Sequence, residues 1–300
     1  MSEKKARIGV IGVGWWATYT HLPAVQQHPD AELVAIADPN TPRLAQAAER
    51  FQVRNAYPDY RTMLERETLD GVVVAVNHTA HYEVAKAVLE RGLHLMVEKP
   101  MVLEARHGRE LLEIAARQGR EIIVGYPWHY TATARRAREV VQSGRLGPIQ
   151  FVSSLFASMV VEFYRGNPEA YRPVFQYPVT GPSTRSYSDP ALAGGGQGHL
   201  QVTHSAGLLF WVTGFVGSTG NIGVGDGGQH DLRVYCANGY VLLEMVQGTL
   251  TIRTHDGSEE RLGPLPPDER YPRFATVNNL INLILGRDTN HSPGSVGLRT

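Results

Sequence analysis

The sequence has little cysteine and no excess of either charge. Cys236 is the only cysteine among the 300 residues, which excludes an internal disulfide and a cysteine-rich zinc site and suits a reducing compartment. The simplest interpretation of Cys236 is a buried thiol. Lys and Arg together number 29, as do Asp and Glu, so the formal net charge is zero. Without an overall positive field, we expect neither a nucleic-acid partner nor binding to an anionic membrane surface.

Long hydrophobic runs are also absent. The longest apolar stretch, Ala206–Val216, is interrupted by Gly207, Thr213 and Gly214 and is shorter than the ~20 residues that cross a bilayer. The charged N-terminal residues, 1–7, lead straight into an apolar strand, without the hydrophobic region of a secretory signal. We therefore expect a cytoplasmic protein. Hydrophobic residues make up 42% of the chain, which is enough to build a sizeable core.

The first part of the chain alternates short apolar runs with amphipathic stretches, a pattern typical of βαβ units and a parallel sheet. The predicted strands are Arg7–Ile11, Leu33–Ala37, Gly71–Val76, Leu93–Val97 and Glu121–Val124, and the predicted helices are Thr41–Phe51, Thr79–Arg91 and Glu104–Gln118. After about residue 125 the pattern changes to a helix Tyr130–Ser143, a strand from Pro148, a helix Gly198–Val212, an antiparallel hairpin of His230–Cys236 and Tyr240–Val246, and a helix Glu269–Leu285. The expected fold class is α/β: an N-terminal Rossmann dinucleotide-binding domain, residues 1–125, and a C-terminal α+β domain, residues 126–300.

A glycine-rich turn follows the first predicted strand. The segment Gly12-Val13-Gly14-Trp15-Trp16-Ala17 has the G-x-G-x-x-A form. In such a turn, Gly12 permits the tight bend, Gly14 lets a pyrophosphate approach the backbone, Ala17 allows close packing, and the following helix N-terminus supplies amides for the phosphates. Asp38 ends the second predicted strand, where a carboxylate accepts hydrogen bonds from a ribose diol. This favours NAD, although Arg43 is near enough in sequence to leave NADP open.

Glu98-Lys99-Pro100 follows the predicted strand Leu93–Val97, at the edge of a parallel sheet where ligands bind. A surface lysine is ordinarily a solvated charge, but this one follows a buried strand. Lys99 could donate a hydrogen bond to a substrate oxygen and favour the alkoxide character that develops as hydride leaves. Glu98 could hold the lysine in place.

Two histidines lie on the predicted helix that follows Gly194-Gly195-Gly196. His199 and His204 are not at the i, i+4 spacing of a helical metal pair, so no metal site is expected. Gln201 and His204 share a helix face, so Gln201 could orient an imidazole that removes a hydroxyl proton. A histidine that serves only in the core remains the alternative.

A Pro- and Gly-rich passage from Asn167 to Gly196 is too long for an ordinary connection and is a candidate lid or substrate loop. Within it, the segment from Tyr171 to Ala193 carries Arg185, Tyr187 and Asp189. We expect this segment to select the substrate, with Arg185 among the substrate-binding residues.

These motifs, in this order, resemble the Gfo/Idh/MocA family of oxidoreductases, named for glucose-fructose oxidoreductase and inositol dehydrogenase. The residues that carry the resemblance are Ile8–Gly14, Asp38, His81, Glu98-Lys99-Pro100 and the glycine-triplet helix with His204. The resemblance implies a Rossmann domain followed by an α+β domain with a large open antiparallel sheet that mediates dimers or tetramers. It also implies sugar or polyol substrates, Lys99 and His204 as catalytic residues, and cofactor contacts from Gly12, Gly14, Trp15, Trp16, Ala17, Asp38, Asn77, His81, Glu98 and Lys99.

The sequence departs from the family pattern at several positions. Leu200 stands where many members have an Asp, and Val76-Asn77-His78 replaces a Thr-Pro loop. Trp128, in an aromatic segment that is more polar in the family, could line the substrate site, and core packing is an equal alternative. Relatives usually continue into a last helix where this sequence stops, which leaves truncation after Thr300 open.

The function expected from these observations is transfer of hydride between NAD, or NADP, and the hydroxyl or keto group of a sugar, a polyol or a related small molecule. One alternative is a redox-neutral glycosidase or epimerase that uses NAD transiently. The other, suggested by Leu200, is a non-catalytic sensor that keeps the nucleotide fold.

Overall fold

The computed structural model describes residues 4–214, 218–223 and 228–300, without the side chains of residues 197–199 and 218–223. Two six-stranded sheets organise the described chain. The first sheet is formed by the N-terminal part and the second by the C-terminal part. The glycine-rich turn, Asp38 and Glu98-Lys99-Pro100 follow strands of the first sheet, and the helix that carries His204 packs against the second.

The first sheet is entirely parallel, with strand order β3-β2-β1-β4-β5-β6. Its strands are β1 Ala6–Ile11, β2 Ala31–Ala37, β3 Asn55–Tyr57, β4 Gly71–Val74, β5 His94–Val97 and β6 Ile122–Val124. This is the Rossmann order, in which ligands bind at the carboxyl edge where the chain direction across the sheet reverses, between β1 and β4. The predicted parallel sheet is confirmed, and β3 is a strand that the sequence analysis missed.

Successive side chains of each strand point to opposite faces of this sheet, and both faces are apolar. Ile8, Val10 and Val73 belong to the core of one face, while Val72 and Val74 belong to the core of the other. The covering helices are α1 Leu22–Gln27, α2 Thr41–Arg50, α3 Tyr60–Arg66, α4 His81–Glu90 and α5 Ala105–Gln118. Burial on both faces explains why these strands read as continuous apolar runs rather than as alternating ones.

The second sheet has the order β12-β11-β10-β9-β7-β8, and its pairs are antiparallel except that β8 runs parallel to β7. Its strands are β7 Ile149–Ser158, β8 Ser218–Gly223, β9 Gln229–Cys236, β10 Gly239–Glu244, β11 Thr249–Thr254 and β12 Glu259–Leu262. The predicted hairpin is confirmed as β9 and β10, and Cys236 at its turn is a buried free thiol. Two helices, α6 Ala132–Gln142 and α10 Gln197–Thr213, pack against this sheet.

Two predicted elements differ from the structure. The helix expected over Glu269–Leu285 is wrong in its first part: α11 Pro267–Arg270 ends before Pro272, and α12 Ala275–Ile284 starts after it. Proline cannot donate the backbone hydrogen bond that a continuous helix requires. The Pro- and Gly-rich passage is not purely irregular either, because it contains a 3-10 turn over Pro168–Tyr171. Short helices α7 Val161–Tyr164, α8 Arg185–Ser188 and α9 Pro190–Ala193 lie in the same region.

The C-terminal segment returns to the first sheet. Ile281 of α12 joins the core on one of its faces, and α13 Gly294–Arg299 packs against α5 and β6. The Ser292 hydroxyl donates to the Val124 carbonyl oxygen at 2.8 Å. The division of the chain near residue 125 stays a prediction, and the chain beyond it also helps to cover the first sheet. Among the described residues, no helix is both long and apolar enough to span a membrane.

Candidate active site

The glycine-rich turn lies at the carboxyl end of β1. Gly12 has a φ of +88°, and a Cβ there would lie 2.4 Å from the Ala75 carbonyl oxygen, so only glycine fits. A Cβ on Gly14 would meet no atom within 4 Å, which leaves its surface open to a ligand. Ala17 is buried and begins a π-helical turn that runs into α1. The backbone around Gly14 therefore fits the approach of a pyrophosphate, as the sequence predicts.

Asp38 lies one residue beyond β2, and its carboxylate is only 2% exposed. It accepts hydrogen bonds from the backbone N–H groups of Val13 (2.9 Å) and Asn40 (2.8 Å). Arg43 binds the same carboxylate through Nε and Nη2, with the shortest contact at 2.7 Å. Asp38 thus fixes the turn after β1, and the side chain at the surface is Arg43. The role of Asp38 toward a ribose stays a prediction.

The residues after β4 divide into exposed and buried ones. Asn77 is exposed near the carboxyl edge, as a cofactor-binding residue requires. His81 has no exposed surface, and its Nδ1 and Nε2 lie 2.7 Å and 3.2 Å from the carbonyl oxygens of Pro100 and Val76. The contact of His81 with the cofactor stays a prediction, and in the structure its imidazole braces the backbone that follows Lys99.

Glu98 and Lys99 follow β5 at the same edge of the sheet. The Glu98 carboxylate accepts from Trp16 Nε1 at 2.8 Å and from the Lys99 backbone N–H at 3.1 Å, and it lies 3.0 Å from His21 Nε2. Burial lowers the pKa of Lys99, and the Glu98 carboxylate opposes that shift. Glu98 therefore supports the lysine by charge as well as by its hydrogen bond.

Lys99 lies against α10, the helix that carries His204. Lys99 Nζ is 3.5 Å from the carbonyl oxygen of Leu200, one helical turn before His204 in α10. Burial, and then the positive charge of Lys99, lowers the pKa of His204 well below its ordinary value. The imidazole is therefore neutral near pH 7, and within the described part of the chain its buried Nδ1 has no hydrogen-bond partner.

Gln201 does not orient His204 as the sequence analysis suggested. Its side-chain N–H donates to the Tyr164 hydroxyl at 2.8 Å, and its carbonyl oxygen accepts from Ser158 at 3.4 Å. Both polar atoms of Gln201 are therefore engaged by other residues. The helical spacing placed Gln201 near the imidazole, but the neighbours from β7 and α7 were not visible in the sequence.

An aromatic wall surrounds His204. The half-buried ring of Trp128 meets His204 edge to face at 5.3 Å between centroids, and Phe156 lies 5.6 Å from the same imidazole. Tyr271 lies 5.2 Å from Trp128 and 6.5 Å from Trp16, so it links the ring beside His204 to the ring that donates to Glu98. His230 packs 4.4 Å from Trp128, and both of its ring nitrogens are buried without a partner. Sequence reasoning missed Tyr271 and His230, because neither belongs to a motif.

The predicted substrate loop covers the glycine-rich turn. The Trp15 indole N–H donates to the Tyr187 hydroxyl at 3.1 Å, and the Trp15 ring packs against Phe163, Phe175 and Tyr177. Arg185 is 71% exposed and pairs with Asp189. In the structure Tyr187, rather than Arg185, contacts the dinucleotide turn, and the substrate-binding role of Arg185 stays a prediction.

Among the residues that the structure describes, no group of three or more His, Cys, Asp or Glu side chains could hold a metal ion. The His199 side chain lies outside the described residues. The expectation that His199 and His204 hold no metal therefore stays a prediction.

Comparisons with known proteins agree with this geometry. Residues 6–126 match the model of a family described as "Oxidoreductase family, NAD-binding Rossmann fold". A dTDP-3,4-didehydro-2,6-dideoxy-alpha-D-glucose 3-reductase of Streptomyces antibioticus is 27% identical over 156 residues, which are 52% of this chain and 47% of that protein. The D-glucoside 3-dehydrogenase of Escherichia coli K12 is 29% identical over 149 residues, 50% of this chain and 42% of its own length. The matched part of the chain thus spans less than half the length of these two relatives.

Solved structures resemble the fold over nearly the whole chain. The aldose-aldose oxidoreductase of Caulobacter crescentus has a TM-score of 0.75 at 19% identity, covering 99% of this chain and 94% of that one. An oxidoreductase domain protein of Kribbella flavida has a TM-score of 0.77 at 18% identity, covering 98% and 94%. At these identities the likeness shows the two-sheet architecture alone.

Proposed function

We propose that the protein is an NAD(P)-dependent dehydrogenase or reductase of the Gfo/Idh/MocA oxidoreductase family, whose NAD-binding Rossmann model matches residues 6–126. Its substrate is the hydroxyl or keto group of a sugar, a polyol or a related small molecule. The curated relatives named above act on sugars, which supports this substrate class.

The residues at the carboxyl edge fit a nicotinamide dinucleotide. Gly14 leaves open space for the pyrophosphate, and the exposed Asn77 lies at the end of β4, toward the nicotinamide half. When bound, the nicotinamide supplies the acceptor for hydride in oxidation and the donor in reduction. Trp15 and Trp16, which follow Gly14 directly, lie beside the edge of the sheet where the dinucleotide would bind.

Lys99 and His204 divide the work on the substrate. Lys99 donates a hydrogen bond to the reacting oxygen, and its positive charge stabilises the alkoxide character that develops there. His204, whose buried Nδ1 has no hydrogen-bond partner among the described residues, accepts the hydroxyl proton and returns it when the reaction runs as a reduction. Lys99 Nζ donates to the backbone carbonyl oxygen of Leu200, so in this proposal a main-chain oxygen lies where the resemblance implies an acidic side chain.

The aromatic wall suits a sugar ring. Trp128, Phe156 and Tyr271 present apolar faces and edges, and the C–H faces of a sugar pack well against such rings. Among the described residues of this wall there is no carboxylate and no arginine. This composition favours an uncharged substrate.

The observation that carries the proposal is the 3.5 Å contact between Lys99 Nζ and the turn that precedes His204. Lys99→Ala and His204→Ala should each lower turnover of neutral sugars or polyols by about 100-fold or more, since each removes an acid–base or charge contribution. NADH affinity, measured by fluorescence, should change little.

Lys86→Ala is the matched control, because Lys86 forms a surface pair with Glu110 and is not part of the site around Lys99 and His204. It should retain full turnover. Full activity in Lys99→Ala or His204→Ala would remove that residue from the mechanism.

We further propose that the protein is a cytoplasmic homodimer or homotetramer that associates through the outer face of the second sheet. This face exposes Phe151 (56%) and Tyr235 (36%), which are cross-strand neighbours, with Tyr240 beside them. Contiguous exposed aromatic side chains are typical of protein interfaces. Sedimentation should therefore show a dimer or larger species, and Phe151→Glu should shift it toward the monomer. A monomeric wild-type protein at high concentration would contradict this proposal.

A further inference from the structure

The Glu98 carboxylate is held by a set of donors that no motif predicted. Oε1 accepts from Trp16 Nε1 at 2.8 Å and lies 3.0 Å from His21 Nε2, while Oε2 accepts from the Lys99 backbone N–H at 3.1 Å. The His21 side chain is 1% exposed and that of Glu98 is 13% exposed. A buried carboxylate is stable only when such partners replace water.

The remaining side of the carboxylate is closed by backbone. A Cβ on Gly125 would lie 2.9 Å from Glu98 Oε2, so this position admits no larger residue without displacing the carboxylate. Trp16 and His21 both come from the segment that follows the glycine-rich turn, and Gly125 follows β6. Three segments of the first domain therefore fix one carboxylate beside Lys99.

The hydrogen-bond pattern also fixes the proton on His21. Its Nδ1 is buried and has no partner, so in a neutral imidazole the N–H that reaches Glu98 is on Nε2. Burial by itself raises the pKa of Glu98, but His21, Lys99 and Trp16 together outweigh it and hold that pKa below its ordinary value. Glu98 stays charged because His21 and Trp16 donate to it.

We propose that His21 is a positioning residue. Together with Trp16 it holds the Glu98 carboxylate in place, and that carboxylate in turn keeps Lys99 charged and in position. This rests on the proposed function for its catalytic consequence, but not for its structural one. Among the described residues, the His21 ring is paired with Glu98 and not with Lys99, so its effect on the lysine must pass through the carboxylate.

Other titratable groups face this pair and must be considered in any pH experiment. Within the described residues, the positive charge of Lys99 acts to lower the pKa of His78, His81 and His204. The negative charge of Glu98 acts to raise the pKa of His78, His81, Tyr126, Tyr187 and Tyr271. All of these stay unchanged in the variants below.

The direct test measures the titration of Lys99 in the ligand-free protein, by competitive acetylation and mass spectrometry over a range of pH. The amide of His21→Asn is too short to reach Glu98, so the carboxylate loses one of the two groups that hold Oε1 and can turn away from Lys99, which weakens its support of the lysine charge. We expect the apparent pKa of Lys99 to fall by about one unit. His21→Gln, whose amide overlies Nε2, should restore the wild-type titration.

Two further variants decide whether His21 acts through Glu98. Glu98→Gln should lower the Lys99 pKa at least as far as His21→Asn does, and the double variant should match Glu98→Gln alone, because the path is then already broken. Additive shifts, an unchanged Lys99 in His21→Asn, or no rescue by His21→Gln would each overturn the proposal. If His21→Asn fails to fold, Trp16→Phe, which removes the other donor to Oε1, must give the same direction of shift.

Thr20→Val is the matched control, since the neighbouring Thr20 hydroxyl is buried without a partner and its loss should leave Lys99 unchanged. In turnover assays, His21→Asn should lower kcat by about tenfold, with the KM for NAD nearly unchanged. If no substrate is turned over, the proposed function fails, whereas the acetylation of Lys99 still decides the role of His21.

Discussion

At the scale of single residues, the pairing of Asp38 with Arg43 leads to a prediction about which form of the cofactor the protein binds. An unpaired carboxylate at the end of the second strand repels a 2′-phosphate. Here the Asp38 carboxylate is buried and bound by Arg43, which is about one-third exposed. Arg43 therefore neutralises the repulsion and also presents a guanidinium to the surface where the adenosine ribose would lie. This geometry favours NADP binding more strongly than the sequence alone does.

Arg43→Ala should weaken NADPH binding about tenfold relative to NADH, because it removes a phosphate partner and leaves the Asp38 charge uncompensated. Fluorescence titration of both reduced cofactors measures the ratio. Arg50→Ala, at the exposed far end of α2, is the control and should leave the ratio unchanged. An unchanged ratio in Arg43→Ala would assign Arg43 to structure alone.

At the scale of elements, aromatic rings of the segment from α7 to α9 contact Trp15 in the glycine-rich turn. Trp15, directly after Gly14, packs against Phe163, Phe175 and Tyr177 and donates its N–H to Tyr187. A dinucleotide on the glycine-rich turn would therefore lie beside a segment that must open for it to leave. Such retention is what a redox-neutral enzyme needs, so this contact also bears on the alternative function.

Tyr187→Phe removes the hydroxyl that fastens this segment to Trp15 and should speed NADH dissociation by about fivefold, the value of one hydrogen bond. Stopped-flow fluorescence measures the rate. Tyr235→Phe, on the outer face of the second sheet, serves as the control and should dissociate NADH at the wild-type rate. Equal rates in all three proteins would mean that the segment does not gate the cofactor.

At the scale of the whole molecule, the half-buried His78 and the buried His129 and His230 link stability to pH. Burial lowers the pKa of His78, His129 and His230 to about 3. In the unfolded chain a histidine titrates near ~6.5. As the pH falls below that value, the unfolded chain binds protons that the native protein does not. The free energy of unfolding must therefore decrease from about pH 6.5 toward pH 3.

His230→Phe isolates one of these contributions. The residue is fully buried with both nitrogens unpartnered, and phenylalanine keeps a ring against Trp128. Urea unfolding measured between pH 7 and pH 4 should show a shallower loss of stability in this variant, by about one bound proton. Parallel curves for the variant and the wild type would show that His230 is not neutral in the native state.

The sequence predicted those features that depend on neighbours along the chain. Apolar runs fixed five strands of the first sheet, and the Gly12 turn and the lysine after β5 followed from their positions at strand ends. The hairpin of β9 and β10 followed from its turn residues. By contrast, the short strand β3 carries too few residues for a periodic signal, and the break at Pro272 was hidden inside a helical pattern.

By itself, the sequence determined the Rossmann sheet, its carboxyl edge and the candidate residues Gly12, Gly14, Lys99 and His204, because strand period, glycine geometry and helix spacing are local properties. Only the tertiary structure decided which partners these residues have. Burial of His81, the engagement of Gln201 by Tyr164 and the pairing of His21 with Glu98 depend on side chains that are distant in sequence. Such contacts form only when the sheets and helices pack, so no local pattern could specify them.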